Sequence, residues 1–197
     1  MSAAWIILEG LDGTGKSSLA AALATQLNAR LLATPGEQLE PIRGQIMDGL
    51  ERDPAALVAF YGATVIARGH QARALTQRGV PVVMDRYLAS TVAYAWARGI
   101  ELELNWLMRA APRPDIELLV TIPESLRRAR LAARGLGPED RETLQPAFAD
   151  HVMSAYRTLM PRRVEVDNSE PLERVAMRLA ETLCAPSTLP VASVQPS

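Results

Sequence analysis

The chain has 197 residues, a formal net charge of −1, 48% apolar residues and a single cysteine, Cys184. This length suits one α/β domain, the near-neutral charge argues against a nucleic-acid partner, and one cysteine cannot form an internal disulfide. Because no apolar run approaches the ~20 residues that span a bilayer, and no basic segment precedes a signal-peptide core, we expect a cytoplasmic protein without a membrane partner.

Short apolar runs alternate with helical patterns along the chain. We expect strands at 5–8, 30–33, 80–84, 116–122 and 163–166, and helices at 18–28, 40–50, 55–77, 88–98, 101–111, 124–134, 143–159 and 171–183. Strands separated by helices predict a parallel sheet with right-handed crossovers and ligands at the carboxyl ends of its strands. The segment 185–197, rich in Ser and Pro, is expected to be a disordered tail, which leaves one domain at 1–184.

The first strand leads into a segment that fits G-x-x-x-x-G-K-[ST]. Its glycines let backbone N–H groups converge on a phosphate, and the following helix adds its own free N–H groups. Lys16, the only lysine in the chain, can reach the β- and γ-phosphates, and the Ser17 hydroxyl can bind Mg²⁺. A chance glycine-rich turn is the alternative, but strand, loop and helix occur in the required order. We therefore expect ATP to bind the residues of this loop: Gly10, Asp12, Gly13, Thr14, Gly15, Lys16, Ser17 and Ser18.

Two charged residues follow the apolar run at 80–84. Asp85 occupies the position at which phosphate-loop enzymes hold Mg²⁺, although it could equally be a helix N-cap. Arg86 suits bidentate contact with a phosphate, and a structural salt bridge is the alternative. We expect Asp85 and Ser17 to bind the metal and Arg86 to contact phosphate.

Arginines recur at helical spacing ahead of a glycine-containing segment. Arg127, Arg130 and Arg134 lie at i, i+3 and i+7 on one helix face, and Arg141 follows. Phosphoryl transfer needs positive charge on the migrating group, which arginine commonly supplies. We expect an arginine-bearing lid at about 134–143, with a solvated basic helix face as the alternative.

Several short motifs occur in a specific order. They are E-G-L-D-G-x-G-K-S at 9–17, D-R-Y-x-x-S-x-x-A-Y at 85–94, R-P-D at 113–115, R-G at 134–135, D-R at 140–141 and V-D-N-S at 166–169. In this combination the chain resembles the thymidylate kinase family over about residues 4–184. The resemblance implies a three-layer P-loop NTPase fold, with a parallel sheet in the order 2-3-1-4-5 and helices on both faces. It also implies a homodimer and phosphoryl transfer from ATP, with Mg²⁺, to a deoxynucleoside monophosphate such as dTMP.

The resemblance also implies roles for single residues. The transferring group would be contacted by Lys16, Arg86, Arg134 and Arg141, because the loop itself carries the uncharged Gly13 where some members carry arginine. On the acceptor side, Asp12 would bind the sugar 3′-hydroxyl and Arg86 the phosphate. Ser90 and Thr91 would lie near the base, Tyr94 near the sugar, and Phe60 would stack on the base; Phe60 and Tyr94 could instead be core residues.

The departures from the family lie in the acceptor half. The family usually has an arginine four residues after the stacking phenylalanine, and ungapped alignment places Thr64 there. Arg68, one turn later, either reaches the pocket or is solvated. The family's R-E-P-G-G-T appears as A-T-P-G-E-Q at 33–38, and Ala95 stands where glutamine is common. We therefore expect weak dTMP phosphorylation that Thr64→Arg improves. A kinase for a modified nucleotide or another small acceptor, and a nucleotide-binding module without catalysis, remain alternatives.

Overall fold

Five parallel strands form a single sheet in this computed structural model, which describes residues 3–100 and 102–184. The strands are β1 (Trp5–Glu9), β2 (Arg30–Ala33), β3 (Val82–Asp85), β4 (Ile116–Thr121) and β5 (Val164–Asp167). Their order is β2-β3-β1-β4-β5, and each neighbouring pair is parallel. The predicted fold class and strand order are confirmed. The expected tail at 185–197 lies outside the described residues.

Helices cover both faces of the sheet. They are α1 (Lys16–Gln26), α2 (Arg43–Gly49), α3 (Pro54–Gln77), α4 (Leu88–Ala97), α5 (Asn105–Ala110), α6 (Glu124–Arg134), α7 (Pro138–Thr143), α8 (Pro146–Leu159) and α9 (Leu172–Cys184). In the part of the chain that the structure describes, none of them combines the length and apolar character needed to cross a bilayer.

The alternation of side chains along β1 explains the three layers. Trp5 and Ile7 pack in one core cluster with residues of α3, whereas Ile6 and Leu8 pack in another with residues of α1 and α9. Successive side chains of a strand point to opposite faces, so a strand that is apolar throughout must be covered on both sides. The continuous apolar character of β1 is therefore the sequence signal for a central strand.

Three helical segments differ from the sequence expectation. The segment 40–50 contains a 3₁₀ turn, Glu40–Ile42, before α2, and the described helix after α4 begins only at Asn105. The expected helix at 143–159 begins at Pro146 and is preceded by the separate helix α7. Proline at the first helical position starts both α7 and α8 because its missing N–H costs nothing there. Arg141, expected in a loop, therefore lies on a helix.

Candidate active site

The phosphate loop joins β1 to α1, and its residues lie together at the carboxyl end of the sheet. The Leu11 carbonyl accepts hydrogen bonds from Lys16 Nζ at 2.6 Å and from Thr14 Oγ1 at 2.8 Å. Lys16 is only 5% exposed. Burial, followed by the positive charge of Arg86, lowers the pKa of Lys16 to about 7. The loop thus holds a buried amine whose surroundings favour its neutral form.

Asp85 ends β3 beside the loop, paired in register with Leu8 of β1. Its Oδ1 atom is buried and has no hydrogen-bond partner among the described residues. Helix α4 is capped by Tyr87 and has no side-chain cap, so the N-cap interpretation of Asp85 is wrong. A buried carboxylate oxygen without a donor is the kind of group that a hard cation would satisfy.

Arg86 and Asp12 form a tight ion pair, and the Tyr94 hydroxyl donates to Asp12 Oδ2 at 2.8 Å. Burial raises the pKa of Asp12, but the charges of Arg86 and Lys16 outweigh it and bring that pKa to about 2. Arg86 adopts a left-handed backbone with φ of 62°, which is strained for a residue with a side chain. Arg86, Asp12 and Tyr94 therefore form one preorganised polar cluster.

Glu9 lies next to this cluster and contacts residues that follow the turn at Arg86; the sequence analysis gave it no role. Its buried carboxylate accepts from the backbone N–H of Tyr87 at 2.9 Å and of Ser90 at 3.1 Å, and from the Ser90 hydroxyl. Burial raises the pKa of Glu9. The hydroxyls of Ser90 and Tyr156 lie 2.9 Å apart. These contacts fix the strained turn at Arg86, and they engage Ser90 within the core.

A cavity of about 710 Å³ opens between this cluster and α2, α3 and α4. Several expected site residues line it, namely Asp12, Ser17, Asp85, Arg86, Ser90, Thr91 and Tyr94. Two further lining residues, Arg43 and Tyr61, were missed by the sequence analysis. Arg43 Nε donates to the Tyr61 hydroxyl at 2.6 Å. The signal for Tyr61 was present, because it adjoins Phe60 on the same helix, but spacing alone could not choose between them.

Phe60, Thr64 and Arg68 instead line a separate pocket of about 280 Å³, together with Pro35 and Leu39. Thr64 Oγ1 donates to the Tyr61 carbonyl at 2.8 Å. The Arg68 guanidinium lies over the backbone at residue 36, where a Cβ would meet it at 2.2 Å. The structure thus does not bring this trio into the large cavity, and its contact with an acceptor base stays a prediction.

The lid arginines have different environments. Arg127 is 1% exposed and donates to the carbonyls of Asp12 at 3.0 Å and Thr143 at 2.6 Å, so for this residue the alternative of a solvated basic helix face is wrong. Arg134 pairs with Asp140. Arg141 is exposed. Arg134 and Arg141 are therefore the arginines of the expected lid that face solvent.

Comparison with known proteins identifies relatives along most of the chain. Residues 8–179 match the family model for thymidylate kinase. A thymidylate kinase of Xanthomonas oryzae pv. oryzae (strain PXO99A) is 37% identical over 150 residues, which cover 70% of this chain and 64% of that protein. A probable thymidylate kinase of Pyrococcus abyssi is 34% identical over 151 residues, with coverage of 66% and 71%. The chain thus spans less than two thirds of the length of the Xanthomonas relative.

The fold also has a counterpart among solved structures. A thymidylate kinase structure from Candida albicans matches with a TM-score of 0.72 and 24% identity, and the match covers 92% of this chain and 91% of that one. At this identity the similarity is one of fold.

Proposed function

The chain belongs to the thymidylate kinase family, and we propose that it transfers the γ-phosphoryl group of ATP to dTMP. The observation that carries the proposal is the continuity of the site. One cavity is lined both by Ser17 and Asp85, the expected metal-binding residues, and by Arg86, Thr91 and Tyr94, which are expected to bind the acceptor. A donor and an acceptor could therefore meet within it, as in-line phosphoryl transfer requires.

On the donor side, the loop N–H groups and Lys16 would bind the ATP phosphates. Lys16 would leave the Leu11 carbonyl, and the phosphate charge would restore its proton. Mg²⁺ would be held by Ser17 and Asp85, and the unpaired Asp85 Oδ1 supports this assignment.

On the acceptor side, Arg86 would exchange Asp12 for the acceptor phosphate. Asp12, freed from Arg86 and still ionised, would accept a hydrogen bond from the sugar 3′-hydroxyl, with Tyr94 beside the sugar. Because Ser90 is engaged with Glu9, Thr91 is the better candidate for contact with the base. Tyr61, which lines the cavity, is the candidate for stacking on that base.

Positive charge on the migrating phosphoryl group would come from Lys16, Arg134 and Arg141. Arg134 would have to release Asp140 to reach it, which makes lid rearrangement part of the proposal.

From family membership we further propose a homodimer in the cytoplasm. Light scattering on the purified chain would test the dimer.

A coupled assay of ADP release with a panel of nucleoside monophosphates tests the function. We expect dTMP to be the best acceptor, with other pyrimidine deoxynucleotides slower and no turnover without an acceptor. Arg86→Ala tests the proposed contact with the acceptor phosphate. Arg109→Ala, which changes an exposed arginine on α5, is its matched control. ATP binding without ADP release for any acceptor would favour a non-catalytic nucleotide-binding module instead.

A further inference from the structure

A side chain from near the end of the chain contacts the phosphate loop. Asn168 directly follows β5, is 3% exposed, and its Nδ2 donates to the Thr14 carbonyl at 2.9 Å. Its backbone N–H donates to the Thr121 carbonyl at 2.9 Å, so the residue is anchored to the end of β4. The side-chain amide therefore contacts the loop from a residue whose backbone is bonded to the sheet.

The Asn168 side chain is only half satisfied. Its Oδ1 atom is buried without a hydrogen-bond partner among the described residues, whereas buried polar atoms are nearly always paired. The amide cannot be reversed to relieve this, because the Thr14 carbonyl accepts hydrogen bonds and cannot donate one. A residue needed only to fill space would not leave an amide oxygen unpaired. The NH₂ group is thus the half of the side chain that the site uses.

The loop is shaped to receive this amide. A Cβ at position 15 would lie 2.7 Å from Asn168 Nδ2, so Gly15 is needed for the contact as well as for its positive φ of 83°. Arg130 Nη1 approaches the same Thr14 carbonyl at 3.4 Å, and Nη2 donates to the Asn168 carbonyl at 3.1 Å. Two donors from outside the loop therefore hold one carbonyl of the loop.

The consequence follows from the geometry of the peptide bond. In a trans peptide the carbonyl and the N–H point in opposite directions. With the Thr14 carbonyl held towards Asn168 and Arg130, the Gly15 N–H points away from them. In loops of this sequence the inner N–H groups contact nucleotide phosphates.

We propose that Asn168 is a positioning residue that orients the Gly15 N–H towards the β-phosphate of the donor nucleotide. The inference rests on the proposed binding of the donor at residues 10–17 and adds a residue and a phosphate to it. It assigns Asn168 no contact with the acceptor.

The test compares ADP with AMP, which lacks the β-phosphate. Dissociation constants are measured by displacement of a fluorescent ADP from the wild type, from Asn168→Ala and from Asn105→Ala, which changes an exposed asparagine on α5. Without Asn168, the Gly15 N–H would no longer be oriented for its hydrogen bond to the charged β-phosphate. We therefore expect Asn168→Ala to weaken the binding of ADP about tenfold and that of AMP by less than about twofold. The Asn105→Ala variant should match the wild type for both nucleotides.

A second variant separates positioning from packing. Asn168→Asp keeps the shape of the side chain but presents an acceptor to the Thr14 carbonyl, so it should weaken ADP at least as much as Asn168→Ala does. In turnover, KM for ATP should rise in both variants while KM for the acceptor stays unchanged. Equal weakening of ADP and AMP, or retained ADP affinity in Asn168→Asp, would overturn the proposal. Since ADP binding requires no acceptor, this result is independent of whether dTMP is phosphorylated.

Discussion

Adjacent aromatic residues on α3 provide a sharp test of how the acceptor base is held. Tyr61 lines the large cavity with Arg86 and Tyr94, whereas Phe60 lines the smaller pocket. We expect Tyr61→Ala to raise the KM for dTMP and Phe60→Ala to leave it nearly unchanged. A base stacked on an aromatic ring is stabilised by about 1–3 kcal/mol, which corresponds to roughly 5- to 150-fold in affinity.

Steady-state kinetics with dTMP varied at saturating ATP would measure the difference. The two rings contact each other, with centroids 5.2 Å apart, so thermal melts must show that each variant is folded. Tyr61→Phe keeps the ring and removes only the hydroxyl that accepts from Arg43, and it should retain most of the affinity. A larger effect of Phe60→Ala than of Tyr61→Ala would refute the reasoning and place the base in the smaller pocket.

The same geometry reverses the expected effect of Thr64→Arg. Thr64 is 6% exposed, lies outside the large cavity, and donates to the Tyr61 carbonyl. An arginine there would extend into the smaller pocket that Thr64 lines, away from the large cavity. We therefore expect Thr64→Arg to leave dTMP turnover unimproved, and a gain in kcat/KM for dTMP would contradict this.

Two further predictions concern the donor side and the lid. Lys16→Ala should abolish turnover with little change in thermal stability. Because the pKa of Lys16 is about 7 in the free protein, the wild type should take up a proton when it binds ATP at pH 8, and the variant should not. Calorimetry in buffers of different ionisation enthalpy measures this proton uptake. A bisubstrate analogue joining adenosine and thymidine should slow amide hydrogen exchange in 135–141, and unchanged exchange there at saturation would argue against a lid.

Much of the donor side is encoded locally and could be predicted. The glycines, the lysine and the hydroxyl of the loop occur within a few residues of each other, and the apolar runs on either side specify strand and helix. Asp85 was predicted in the same way, because it ends an apolar strand. These features can be predicted without knowledge of the tertiary structure, because each depends only on residues that are neighbours in sequence.

The role of Glu9 and the position of Tyr61 could not be predicted from neighbours. Glu9 contacts residues 87 and 90, which are remote in sequence, and a glutamate before a glycine-rich loop gives no sign of its partners. The choice between Phe60 and Tyr61 depends on the rotation of α3 about its axis. That rotation is fixed by packing of Val58 and Val65 in the core, and a change of one residue turns a side chain by about 100°.

The exposed Arg134 and the buried Arg127 differ in how readily each could contact a bound phosphate. Arg134 pairs with Asp140; the arginine side chain is 54% exposed, whereas the aspartate side chain is only 10% exposed. If a nucleotide phosphate took Arg134, the buried Asp140 would keep its hydrogen bond from the Gly137 N–H, which is 2.9 Å long.

Arg127 behaves differently because its guanidinium is buried and holds both the Asp12 and the Thr143 carbonyls. Removing it would leave buried carbonyls unpaired, at about 1–3 kcal/mol each. Arg127 thus joins the end of α7 to the phosphate loop. Motion of the expected lid would then be confined to the stretch between Arg134 and α7, where Gly135 has a positive φ of 85°. A movement of this short hinge would bring Arg134 towards the phosphates without disturbing Asp12.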